Sequence, residues 1–291
     1  MTSTRLIELY CAVCEQYSIF VEEVQRLSNN NRPQFTDEET ITTYIMGIQS
    51  GHYEKKAIYN FIQAHYADWF PLMPSYQNFS RRLDLLVPAF MMLTESKLIQ
   101  NELLYCSERL ICATDSLPVI VAKQPRSSSA RVACDMCDKG YCASKEEYYY
   151  GVKLNVCGIL RSGRLPAPKQ VYVSKASEFD LTVGKQMMGN QRNFDLFADK
   201  AFCDKKWKTQ LFTQGIRLFT PVKKRKGQEK LRFTEGVYSS VVSSVRQPIE
   251  SFFNWLISKT NIQAASKVRS ASGLLLHIFG KLAAACFLFN L

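Results

Sequence analysis

Histidine is scarce in this chain. Only His52, His65 and His277 occur, and no two are close in sequence. That counts against chemistry built on paired imidazoles, including zinc hydrolases and nucleases with a His-x-His metal site. The first residues, Met1-Thr-Ser-Thr-Arg-Leu-Ile-Glu8, lack a charged segment followed by an apolar one, so no secretory signal is read. A clean membrane span is also missing. The most apolar stretch, Gly273 to Leu291, is interrupted by His277, Gly280 and Lys281 and reads as a buried C-terminal helix. No internal repeat or long low-complexity segment is present. Acidic residues are in deficit, 26 against 37 Lys and Arg, for a net charge of +11. An excess of that size attracts polyanions, of which nucleic acid is the commonest large one. The ten cysteines, with no signal ahead of them, fit free thiols in a reducing cytoplasm.

At 291 residues, 46% hydrophobic and 22% charged, the chain is globular in composition and long enough for two domains. Residues 1–98 read as all-helical. A first helix covers about Leu6 to Leu27, with Ile7, Tyr10, Cys11, Cys14 and Tyr17 on one side, and Asn29 to Pro33 breaks it. Thr36-Asp-Glu-Glu39 is a capping box that starts a second helix at Asp37. A third covers Glu54 to about Trp69. Ser75 caps a fourth, Tyr76 to Val87, with Phe79, Leu83 and Leu86 inward and Gln77, Asn78, Arg81 and Arg82 outward. Amides and arginines near a helix start can read base edges and hold phosphates, so a helix-turn-helix module is one reading. A helical bundle with a solvated basic face is the other.

Beyond this the pattern changes. Arg109 to Asp115, followed by Ser116 to Val121, reads as a strand with Asp115 near its end, and a basic loop runs from Lys123 to Lys145. Tyr148 to Leu160 alternates as a half-buried strand does, and Gln170 to Ser174 follows as a third. A helix over Glu178 to Met188, a strand over Phe194 to Ala198, a helix over Lys205 to Gln214 and a strand over Ile216 to Thr220 complete the alternation. The remainder, from about Gly236, is helical. The order predicts an α/β domain with a five-stranded mixed sheet flanked by helices.

In that topology the first and fourth strands are neighbours, which brings Asp115 beside Asp199. The last helix carries Glu250 on the flank of an apolar stripe, Val245, Ile249, Phe252, Phe253 and Leu256, with Arg246 one turn earlier. Three converging carboxylates repel one another unless cations lie between them. Two Mg²⁺ ions suit oxygen ligands and in-line phosphoryl transfer.

Four motifs carry a family resemblance: Thr114-Asp115-Ser-Leu-Pro-Val119; Asp138 to Leu154, with Tyr-Gly-x-Lys-Leu at its end; Ala198-Asp199-Lys-Ala-Phe202; and Arg246-Gln-Pro-Ile-Glu250-Ser-Phe-Phe-Asn-Trp255. In this order they resemble the DDE-type transposases of bacterial insertion sequences and look closest to the insertion-sequence family numbered nine-eight-two. The resemblance covers roughly residues 105–291 and, more loosely, the helical front. It implies a ribonuclease H-like catalytic domain over 105–291 and a DNA-binding domain over 1–98. It also implies Asp115, Asp199 and Glu250 as catalytic metal ligands for two Mg²⁺ or Mn²⁺ ions. The DNA partners it implies are the terminal inverted repeats and the target duplex, handled by a homodimer or larger synaptic assembly. The setting is the bacterial cytoplasm, at the nucleoid, with no membrane partner. Arg246 matches an arginine that contacts the DNA end in a related signature. That signature's tyrosine is Ser243 here and its lysine is Ile257, with Lys259 a possible substitute.

Further DNA-contact candidates are Asn78, Arg81, Arg82 and Lys153, and the basic run Lys223, Lys224, Arg225 and Lys226. Arg126, Arg131, Lys139 and Lys145 flank the first aspartate. Asp138 and Asp195 are rival acids. Cys134, Cys137 and Cys142 have the spacing of metal ligands but lack a fourth partner, and Cys11 with Cys14 reads as core. Tyr148 to Tyr150 and Trp207 could stack bases, although core packing is the simpler use. Two other functions stay open: a DNA-binding regulator with an inactive sheet domain, and a nuclease that cuts without joining.

Overall fold

The computed structural model describes residues 3–24, 34–105, 109–142, 146–225 and 227–289. Two compact units emerge, one of residues 1–97 with 256–291, the other of residues 98–255. The division differs from the sequence reading in its last part, because the C-terminal segment belongs with the front helices.

The helical unit contains α1 (Ser3–Val24), α2 (Asp37–Gln49), α3 (Lys55–His65), α4 (Tyr76–Leu85) and the first part of α5 (Val87–Leu104). The expected capping box is formed: Thr36 Oγ1 accepts from Glu39 N, and Glu39 accepts from Thr36 N at 2.6 Å. The face of α1 differs from expectation. Leu6, Leu9, Val13, Tyr17 and Phe20 are buried, whereas Ile7, Tyr10 and Cys11 are exposed. Choosing the stripe one position off rotates the inferred face by about 100°. The predicted break at Asn29 to Pro33 lies outside the described residues. Helix α5 does not stand out in the sequence as a separate element, because its apolar residues do not cluster on one side.

The chain returns to this unit through the last part of α9 (Pro248–Thr260). There follow α10 (Ala271–Leu275), a π-helical turn over Leu276–Gly280, and α11 (Lys281–Phe289). Leu276, Ala283, Ala284 and Phe287 join the core formed by Ile41, Tyr44, Ile45, Phe79, Leu83 and Phe90. Gly280 allows the close approach: a Cβ there would stand 2.6 Å from the Tyr44 ring. Ala271–Phe289 is long and apolar enough to cross a membrane, but most of it is buried inside this unit.

The sheet unit holds six strands: β1 (Leu110–Lys123), β2 (Asp138–Cys142), β3 (Glu147–Arg161), β4 (Arg164–Lys175), β5 (Phe194–Phe197) and β6 (Arg217–Phe219). The order is β2-β3-β1-β5-β6, with β4 also on β3. β2 pairs with β3 over Glu147 to Gly151 and β4 pairs with it over Val152 to Arg161, while β1 holds the opposite edge. Thus β2 and β4 share one position end to end, and the sheet is five positions wide. Their junction is tied by Asp138, whose carboxylate accepts from Ser177 N and Ser177 Oγ. The sequence reading placed Asp138 in a loop and missed β2. Only five residues long, β2 carries Gly140 and a lysine, which hide its strand character.

β1 runs antiparallel to β3 and parallel to β5, and β5 runs parallel to β6. Helix α6 (Asp180–Met188) precedes β5, α7 (Lys205–Thr213) precedes β6, and α8 (Phe233–Arg246) follows it. Gly151 permits the tightest crossing in the sheet: a Cβ there would lie 2.1 Å from the Val119 carbonyl oxygen.

Candidate active site

β1 has strand neighbours on both sides only over Cys112 and Ala113; beyond that it runs with β3 alone. Pro118, which cannot donate to a ladder, is tolerated in this half-open stretch. β5 therefore ends beside the middle of β1 and leaves that edge of β1 open, at the carboxyl end of its parallel neighbour. Open α/β sheets bind ligands at such a place.

Two aspartates lie at this open edge. Ala113 stands opposite Phe197. Asp115 lies two residues beyond the first, still within β1, and Asp199 two beyond the second, just past the end of β5. Adjacent strands are about 4.8 Å apart, which brings the carboxylates within interaction range. Asp199 has extended backbone and precedes a short 3₁₀ turn, Lys200–Phe202. Its side chain makes no capping bond and is exposed. Asp115 is partly buried and lies mid-strand in a longer β1 than expected. Burial pushes its pKa up, against the pull of Arg246 and the Ser116 N–H, and the Asp199 charge adds to the rise.

The third acid reaches the site through an arginine. Arg246 Nη1 donates to Asp115 Oδ2 at 2.5 Å, and Arg246 Nη2 donates to Glu250 Oε1 at 2.8 Å. Asp115 Oδ1 accepts from Ser116 N at 2.9 Å. The expected single helix is interrupted: α8 ends at Arg246, and Pro248, which has no N–H to continue the ladder, opens α9. Gln247 stays in right-handed helical geometry, so Arg246 and Glu250 keep their one-turn spacing. Ile249 is buried, with its Cδ1 near Gly158 of β3, and anchors this junction on the sheet.

Among the described residues, no three His, Cys, Asp or Glu side chains are grouped closely enough to hold one ion. The donor set still suits Mg²⁺, which needs only one or two carboxylates when water and phosphate oxygens complete its shell. By residue type the Asp115–Asp199 pair fits that description, with Asp115 Oδ1 and Oδ2 accepting from Ser116 N and Arg246 in this structure. Glu250 is joined to Asp115 by a guanidinium between them.

The rival acids are occupied elsewhere. Burial would raise the pKa of Asp195, but hydrogen bonds from Arg217 and Arg109 outweigh it and hold the group below the usual range. This cluster ties β1, β5 and β6 together, because Arg109 also donates to the Gly215 carbonyl. Cys142 packs with Ile120, Tyr149 and Ala176, Cys137 is buried and Cys134 exposed. Cys11 is exposed and Cys14 half-buried, so that pair is not core as expected. Trp207, Tyr149 and Tyr150 are buried, which leaves Tyr148 as the exposed ring of those considered.

The DNA-contact candidates divide. Asn78 and Arg81 are exposed on α4, and Lys223, Lys224 and Arg225 are exposed after β6. Lys226 and Lys145 lie outside the described residues. Lys259 is exposed in the last turn of α9. Arg82 is buried, donating to the Phe35 carbonyl and to Asp37 at 2.6 Å, so its guanidinium is committed to the fold. Lys153 is likewise committed, to Asp180 at 2.7 Å and to the Glu178 carbonyl. Arg82 does not point outward because its guanidinium meets Asp37 on α2, a partner remote in sequence. Sequence reasoning passed over Lys200, Lys205, Lys206 and Lys208, all exposed directly after Asp199. Four lysines within nine residues of a candidate acid were the available signal.

Charge is distributed unevenly. The sheet unit has 25 Lys and Arg against 15 Asp and Glu, the helical unit 12 against 11. The basic excess thus belongs almost wholly to the unit that carries the carboxylates.

A family model, transposase DDE domain, matches residues 106–271. No curated protein and no solved structure matches the chain. The matched span contains Asp115, Asp199, Arg246 and Glu250 and covers more than half of the sequence: the chain belongs to the transposase DDE domain family.

Proposed function

We propose that the chain is an insertion-sequence transposase that binds the terminal inverted repeats of a mobile element, cuts DNA at their ends and joins them to a target. The observation that supports it best is the placement of Asp199 just past the end of β5, close enough to Asp115 on the neighbouring strand for their charges to interact, with Glu250 linked to Asp115 through Arg246. The strand order, with an antiparallel β4-β3-β1 portion and parallel β5 and β6, is compatible with a ribonuclease H-like domain.

Asp115, Asp199 and Glu250 would hold divalent cations, Mg²⁺ or Mn²⁺, which when bound supply Lewis-acid activation of water and neutralise charge on the phosphate. The rest falls to the chain. Arg246 fixes the side chains of Asp115 and Glu250 and offsets their repulsion. Lys200, Lys205, Lys206 and Lys208 present cations to the phosphodiester backbone beside Asp199. In the first step water displaces a 3′-oxygen at the element's end. In the second the freed 3′-OH attacks a target phosphodiester, forming one P–O bond as another breaks. No protein–DNA adduct is required. The helical unit, nearly neutral overall, would contribute recognition through α4, where Gln77, Asn78 and Arg81 are exposed. Two ends handled together call for a dimer or larger assembly.

The test is Mg²⁺-dependent cleavage and joining of a duplex carrying the element's end by Asp115→Ala, Asp199→Ala and Glu250→Ala. Loss in each, with end binding kept, is expected. Full activity in all three would refute the assignment. Cuts without joined products from the parent chain would make it a nuclease, and end binding without chemistry a regulator.

A further inference from the structure

The helical unit contains a cavity of about 560 Å³ that DNA cleavage does not use. It is lined by α3 and α4 residues and by the 261–281 segment. Its rim is cationic: Lys56, Lys267 and Arg269 are exposed there. Its inner wall holds Lys281, only 1% exposed. The Lys281 ammonium donates to the Asn261 carbonyl at 3.0 Å and lies 5.7 Å from the Tyr53 ring centre.

The charge is not balanced locally. Glu54 and Asp84 are the carboxylates lining the cavity, and Asp84 is taken by Lys55 at 2.7 Å. Among the described residues Lys281 has one hydrogen-bond acceptor for three N–H donors, and Glu54 acts on it only at a distance. His277 adds no charge: its Nε2 donates to the Ile262 carbonyl at 2.8 Å, and burial keeps the ring neutral. Burying an ammonium with so few partners is costly. A π-helical turn, Leu276–Gly280, sits between α10 and Lys281, and such turns often mark functional sites. Solvated surface lysines alone would not amount to a site. A buried lysine at the back of an open cationic cavity does.

We propose that this cavity binds a phosphate group, held by Lys281 within and by Lys267 and Arg269 at the mouth. The same chemistry is offered by a backbone phosphate of duplex DNA and by a free phosphate or nucleotide. Position favours the first: Tyr76, Ser80 and Asp84 of α4 line the cavity, so a strand lying on α4 passes its mouth. That source rests on the transposase reading; the phosphate site itself does not.

The test has two arms and needs no catalysis. In the first, inorganic phosphate is titrated against sodium chloride at matched ionic strength and the thermal midpoint is followed. Phosphate should raise the midpoint of the parent chain. The rise should vanish in Lys281→Met and shrink in Lys267→Ala/Arg269→Ala, a surface pair whose loss leaves the core intact. In the second arm, binding of a 20-base-pair duplex is measured across salt concentration. The slope of log K against log salt should fall in magnitude by about 1, the share of one phosphate, in the Lys267→Ala/Arg269→Ala variant. Both effects together assign a backbone phosphate. A phosphate effect with an unchanged slope assigns a free phosphate. A changed slope without the phosphate effect reduces the lysines to surface contacts and overturns the cavity site, as does failure of both arms. Neither result depends on whether the Asp115 variants cut DNA.

Discussion

Replacing Lys281 by methionine should make the protein more stable while removing a cation. Burial lowers the pKa of this lysine from its ordinary 10.5 to about 7, against a raising influence from Glu54. At about 1.4 kcal/mol per pH unit of displacement, housing the charged form costs roughly 4–5 kcal/mol at most. Methionine fills a similar volume without that cost. It also orphans the Asn261 carbonyl, a loss of about 1–3 kcal/mol. A net gain of about 2 kcal/mol remains, or roughly 4–8 °C in the midpoint of the helical unit. The sign with pH follows from proton binding. Below about pH 7 the lysine is charged in both folded and unfolded chains, and above 10.5 it is neutral in both. Between these limits only the unfolded chain holds the proton, so stability of the parent rises with pH. The advantage of Lys281→Met should thus be largest at or below pH 7 and shrink towards pH 10. Urea unfolding of both proteins at pH 6, 8 and 10 measures it. A variant less stable than the parent at pH 6, or an advantage constant across that range, would refute the argument.

Other consequences follow from the same structure. His277, held neutral by burial with its pKa lowered to about 3, destabilises the fold as pH falls from about 6.5 towards 3; His277→Gln, which can still donate to Ile262, should flatten that limb in acid-unfolding curves. Arg82→Ala should cost about 3–5 kcal/mol in urea melts by leaving Asp37 without its partner, whereas Arg81→Ala should stay within about 0.5 kcal/mol and weaken duplex binding instead. Gly151→Ala should cost at least about 3 kcal/mol, because its Cβ would collide with the Val119 carbonyl of the adjoining strand; soluble yield and melting temperature report it. Asp195→Asn should loosen the Arg109–Asp195–Arg217 tie and lower stability by about 2 kcal/mol, without abolishing the cleavage expected of Asp115 and Asp199.

Much of the sheet could be read from the sequence because its strands alternate or end in polar turns. The adjacency of β1 and β5 followed from element order, and with it the expectation that Asp115 and Asp199 lie close together. What escaped was contact between residues remote in sequence. Arg246 was visible as a partner of Glu250, one turn away, but not of Asp115 on another strand. Arg82 and Lys153 looked like free cations because their partners, Asp37 and Asp180, lie on other elements. The C-terminal helix was legible as buried, yet nothing local showed that it completes the front helices. A buried lysine inside an apolar run is a conflict that sequence patterning registers only as an interruption.

The shared outer position of the sheet bears on how this chain behaves when crowded. Unpaired strand margins recruit other polypeptides and seed aggregation. Here β6 offers only three residues on one side, and on the other the margin is divided between β2 and β4. β4 carries Pro166 and Pro168, which have no N–H to offer an incoming strand. Among the described residues these two margins thus offer a neighbour no long, regular template, and the longer open edge, β1 beyond Ala113, lies beside Asp115, where the proposed function would place DNA.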